Sequence, residues 1–229
     1  MNYSEETRFR YLAETSRVLR SAGFDVEPQT DGSLAVSFEG NSLCQVVKPG
    51  GITYRQENLT TPEQERAKGQ AFELTRMVSE YMRAMDQGPM VKAAGLSDRY
   101  KALADFNGTL FAATETRFGV QFVTWDWDFN REGLSHGHYF GDDYEAAKQD
   151  FATRSHLIDQ NRLFTPEQTI EIYRCCADTL DAGLDLTYEQ EKNIKSVQAQ
   201  IENGMPDIME HIQQQDQRSD LTAAQGLSM

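Results

Sequence analysis

A chain of 229 residues, 39% apolar and 10% aromatic, holds enough material for one large core or two small ones, which excludes wholesale disorder. It contains no apolar run of about 18 residues that would suit a membrane span. A formal net charge of −14 disfavours direct binding to nucleic acid and favours basic partners.

The opening residues, MNYSEETRFR, lack the hydrophobic stretch of a secretion signal, so the expected compartment is the cytoplasm. The spacing then predicts a helix from Ser4, its cap, to Ala22, with Phe9, Leu12, Ser16 and Leu19 along one face and Gly23 ending it. From there the period changes to two. Strands are expected near Phe24–Glu27, Ser33–Glu39, Ser42–Lys48 and Ile52–Gln56, separated by the turn signals Asp31-Gly32, Gly40-Asn41 and Pro49-Gly50-Gly51. Thr61-Pro62-Glu63-Gln64 has the form of a capping box and opens a long helix with Phe72, Val78, Tyr81, Met82 and Met85 on its apolar side.

Val91 to Asn107 reads as a connector with a short helix around Asp98–Ala104. A second unit follows, with strands near Thr109–Thr114, Val120–Asp128 and His138–Phe140. Asp142 is the expected cap of a helix reaching Ser155, with Tyr144, Ala147, Phe151 and Ala152 on its buried side. Thr165-Pro166-Glu167-Gln168 and Thr187 with Gln190 start two further helices, Pro166–Ala182 and Tyr188–Asn203, before a last one from Pro206 to about Gln214.

These elements define an α+β protein: an N-terminal α-β-meander-α domain over 1–90, a connector over 91–107, a hairpin-and-helix module over 108–164, a helical segment over 165–214 and a disordered tail over 215–229. The helix-sheet-helix order of 1–90 is superficially similar to a double-stranded-RNA-binding domain. That fold needs a lysine-rich start to its second helix. Here the start is mixed in sign, and Arg8, Arg10, Arg17 and Arg20 read as a solvated face of the first helix.

Cys44, Cys175 and Cys176 lack metal-ligand spacing and read as reduced thiols. His136 and His138 would share one face of a strand and, with Asp126 and Asp128 on the preceding strand, could ligate Mn²⁺, Fe²⁺ or Zn²⁺. The plainer account keeps all four as sheet and turn residues, and no cofactor is expected. Trp125, Trp127, Tyr139 and Phe140 could stack on bases, but alternating aromatics in a hairpin normally form a sheet's core face. No phosphate-binding, dinucleotide-binding, nucleophile-elbow or zinc-protease motif occurs.

The acidity is concentrated. Between Asp126 and Asp150 seven acids face Arg131 and Lys148, net −5. Between Glu167 and Asp216 eleven acids face Arg174, Lys192 and Lys195, net −8. Asp126, Asp128, Asp142, Asp143 and Glu145 are the nominated partner contacts.

The runs Phe106-Asn107-Gly108-Thr109-Leu110, Phe122-Val123-Thr124-Trp125, Gly137-His138-Tyr139-Phe140, Asp143 to Ser155 and Leu163-Phe164 together resemble a module of accessory and antirestriction-type proteins from conjugative elements of gut Firmicutes. The resemblance spans roughly residues 106–168 and brings no catalytic residues. It implies a mobile-element setting, in which an acidic protein blunts host defence by offering carboxylates where a nuclease expects phosphates. The leading expectation is a non-enzymatic interaction protein, of antirestriction or anti-CRISPR type, that occupies a basic surface of a nucleic-acid-processing or host-defence protein. A metal-dependent enzyme using His136 and His138 and a structural accessory of a conjugation apparatus are the alternatives.

Overall fold

The computed structural model describes residues 5–96, 99–159 and 163–226, and forms two compact units, Met1–Ile158 and Asp159–Met229. The expected cap Ser4 and residue Asp98 lie outside the described residues. The α+β class holds: described residues form six α-helices and two four-stranded antiparallel sheets. No described helix is long and apolar enough to cross a membrane.

In the first unit, helix α1 (Glu5–Ser21) leads into strands β1 (Asp25–Pro28), β2 (Leu34–Phe38), β3 (Asn41–Lys48) and β4 (Gly51–Thr53), which pair in sequence order as the period-two pattern requires. Helix α2 (Pro62–Gln87) begins at the Thr61–Gln64 capping box. With 26 residues it is about 39 Å long, and that length sets the architecture. Its N-terminal half, through Ala67 and Ala71, closes the core under the first sheet with Leu12, Leu19, Val36, Leu43 and Val46. Its C-terminal half, through Val78, Tyr81, Met82 and Met85, closes a second core against the following sheet.

That second sheet orders β5 (Lys101–Phe106), β6 (Thr109–Thr116), β7 (Gly119–Trp127) and β8 (Leu134–Gly141), with helix α3 (Tyr144–Arg154) over one face. Phe111, Val120, Phe122, Tyr144 and Phe151 meet Tyr11 and the end of α2 in one cluster. The domain expected over 1–90 and the module expected over 108–164 therefore share a core, through Tyr11, Tyr81, Phe111, Phe122, Tyr144 and Phe151. The other face is smaller: Leu110, Ala112, Val123 and Trp125, covered by Val91, Leu96 and Tyr100.

Three expectations change. Residues 101–104 form strand, not helix. Lys-Ala-Leu-Ala has helical propensity, but β6 recruits it as an edge partner through the two-residue Asn107-Gly108 turn, where both residues have positive φ. Phe9 and Tyr139, read as apolar-face residues, are 75% and 70% exposed, while Trp125 is buried. The terminal segment 215–226, expected to be disordered, continues a helix.

The second unit consists of α4 (Pro166–Asp181), α5 (Tyr188–Gly204) and α6 (Ile208–Gly226), the first two each opened by a threonine capping box. Its buried apolar side chains among the described residues are Ile170 and Ile208, whereas Phe164, Leu184, Tyr188 and Met209 are exposed.

Candidate functional site

The two sequence-nominated histidines stand beside a charged network whose centre is Arg154. Arg154 lies in the last turn of α3, which Phe151 and Ala147 anchor over β6 and β7. Its guanidinium reaches Asp126 on β7 at 2.7 Å and Asp150, one helical turn back, at 3.6 Å. It also donates to the Thr124 hydroxyl at 2.9 Å, and that hydroxyl donates to Asp150. The arginine is only 15% exposed, so the carboxylates neutralise a charge that solvent reaches poorly.

His138 Nδ1 lies 3.0 Å from Asp150, and His136 Nδ1 lies 3.6 Å from Asp126. Each imidazole thus has its own carboxylate, and the guanidinium occupies the position between the acids where a cation would be held. A bulge between Thr124 and Asp126 breaks the simple alternation of β8, and His136 takes φ +49°. No group of three or more metal-ligating side chains is assembled among the described residues. Asp128 turns away: its carboxylate accepts from the Glu132 amide at 2.8 Å and fixes the β7–β8 turn. The four-residue metal set is not brought together.

His136 is also no member of a nucleophilic triad. The Ser135 hydroxyl, at 3.2 Å, and Asp126 both approach the same nitrogen, Nδ1, whereas a relay needs the acid and the nucleophile on opposite nitrogens.

The remaining nominated carboxylates are largely engaged. Asp142 pairs with Arg17 of α1 at 2.8 Å, and that hydrogen bond holds its carboxyl below the usual range. The cap of α3 is Asp143, one residue later than expected; its side chain accepts from the Ala146 amide at 3.0 Å. Glu145 is the freest, 63% exposed, with Lys148 at 3.5 Å.

The α4–α5 region differs. Glu167, Asp178, Asp181, Asp185, Glu189 and Asp207 are exposed, and none has a cationic side chain of the described residues within 4 Å. Asp178 and Asp181 occupy the last turn of α4, which carries no basic residue, so they oppose the negative end of the helix dipole. Asp150, Arg154 and Thr124 were missed by sequence reading, although the i,i+4 spacing of Asp150 and Arg154 marks a helical ion pair. Comparison with family models, curated proteins and solved structures gives no match for this chain.

Proposed function

We propose that the protein is a non-enzymatic interaction protein whose acidic helical unit docks on a basic protein surface. The observation that carries this reading is the contrast in how the carboxylates are used. In residues 126–150 the acids are mostly committed to arginine, a helix cap or a turn. On α4, α5 and the turn between them Asp178, Asp181, Asp185 and Glu189 face solvent with no cation of the described residues within 4 Å, while Glu191 is paired with Lys195. Carboxylates that keep their hydration and charge are the ones a cationic partner can use. The contact set therefore centres on Asp178, Asp181, Asp185 and Glu189 of the second unit.

The resemblance over 106–168 supports a mobile-element setting and a nucleic-acid-processing or host-defence protein as the partner, whose phosphate-binding groove the acidic unit would occupy. The test is affinity capture from the native host followed by binding of the purified partner at 50 and 300 mM salt. Binding should weaken steeply with salt and be lost in Asp178→Lys/Asp181→Lys/Asp185→Lys. Salt-independent binding that survives the triple reversal would refute the reading.

A further inference from the structure

A cleft of about 800 Å³ runs between α1 and the β1–β2 hairpin, in the range of small-ligand sites. Its floor is the buried pair Leu12 and Leu34, and its walls are Phe9, Ala13 and Pro28. The α1 face that lines it begins at Glu5 and ends at Arg20, a length of about 22 Å at 1.5 Å per residue.

The four arginines of α1 divide by face. Arg10 and Arg17, on the side of the second sheet, are each held by two carboxylates. Arg8 and Arg20, which line the cleft, have no carboxylate of the described residues within ion-pair distance, in a chain where 36 acids outnumber 22 bases. They donate to main-chain carbonyls: Arg8 to Asp31 and Val47 at 3.4 and 3.3 Å, Arg20 to Val26 at 2.6 Å. A guanidinium has five N–H donors, and one carbonyl leaves most of them for a ligand.

The two ends are not equivalent. Glu5, Glu6 and Asp31 line the Arg8 end, and Asp31 is turned onto the amide and hydroxyl of Ser33 at 2.9 and 2.6 Å. Among the described lining residues, none at the Arg20 end is an acid. From this geometry we infer that the cleft binds an elongated amphipathic organic anion, its single acidic head on Arg20 and its apolar body over Leu12, Leu34 and Phe9. The head is a carboxylate or a phosphate; both accept the forked N–H pair of arginine. This site is independent of the acidic helices.

The test uses the full chain with dodecanoate, dodecyl phosphate and neutral dodecanol in calorimetry and amide NMR. The anions should bind at least tenfold tighter than dodecanol and shift the amides of Leu12, Ser16, Arg20 and Leu34. The tighter of the two anions identifies the head group. Arg20→Gln should weaken the anions at least tenfold while Arg20→Lys keeps most of the affinity. Ala13→Trp, at an exposed wall position, should block the cleft without lowering the melting temperature. Absence of anion binding at millimolar concentration, equal binding of dodecanol, unchanged affinity in Arg20→Gln or Ala13→Trp, or shifts that map elsewhere would overturn the assignment.

Discussion

The Tyr81 hydroxyl on α2 donates to Glu14 Oε1 on α1 at 2.9 Å, inside the protein. The same oxygen accepts from the Val120 amide of β7 at 3.3 Å, and Arg17 forks onto the carboxylate at 2.8 and 3.1 Å. Burial first, then the Glu14 charge, keeps the phenol far above its ordinary pKa of 10, so it stays protonated and able to donate to Glu14. One carboxylate thus joins two helices and a strand. Glu14→Ala leaves the Tyr81 hydroxyl and the Val120 amide without their acceptor, while Arg17 keeps Asp142, and should cost about 1–3 kcal/mol in urea unfolding. Tyr81→Phe removes one charge-assisted bond and should cost about 1.5–3 kcal/mol.

Because α2 closes both cores, residues 1–90 should not fold alone. A fragment 1–96 lacks Phe111, Phe122, Tyr144 and Phe151, which cover Tyr81 and Met82. Circular dichroism should show no cooperative thermal transition for it, whereas a fragment 1–158 should unfold in a single step. A cooperatively folded 1–96 would restore the two-domain picture.

The sequence made local structure legible where the signal is local. The capping boxes at Thr61, Thr165 and Thr187 are formed as spaced. The meander of the first sheet follows its alternation and its turns. The shared core was hidden because it depends on tertiary docking of Tyr11, Val78 and Tyr81 onto a sheet formed by later strands, which no periodicity encodes. Strand β5 was hidden differently. Its residues favour helix, and only the Asn-Gly turn before β6 announces a hairpin. The acidic totals were legible too, but not their distribution between engaged and free carboxylates, since Arg17 reaches Asp142 across 125 positions.

Gly119 shows how close that junction is. It has φ +102°, and an added Cβ would lie 2.0 Å from Arg17 Nε. Gly119→Ala should therefore both strain the turn and displace Arg17 from Glu14, costing about 1–3 kcal/mol by chemical denaturation. A neutral substitution would show that Arg17 is dispensable there.

Asp142 gives the junction an acid-sensitive component. Its pKa is lowered in the folded protein, first by the Arg17 hydrogen bond, so below its ordinary value of 3.8 the unfolded chain takes up the proton first. The stabilisation is complete above about pH 5 and fades as pH falls through the lowered value. Urea midpoints from pH 7 to 3 should show a shallower acid decline for Asp142→Asn than for the parent. Parallel curves would contradict the assignment.

The thiols should separate by environment. Burial pushes the Cys44 thiol up to about 11, while Cys175 is exposed on α4. A chromogenic disulfide at pH 8 should titrate Cys175 quickly and reach Cys44 only on unfolding. Rapid native labelling of Cys44 would mean that the first sheet opens readily.

The proposed division between spent and available carboxylates is tested most directly by titrating the labelled full chain with a decalysine peptide while following backbone amides by NMR. The largest, salt-sensitive shifts are predicted at residues 178–189, with little change at Asp126, Asp142 and Asp143. Shifts of equal size at those three residues, or spread evenly over both units, would contradict the account.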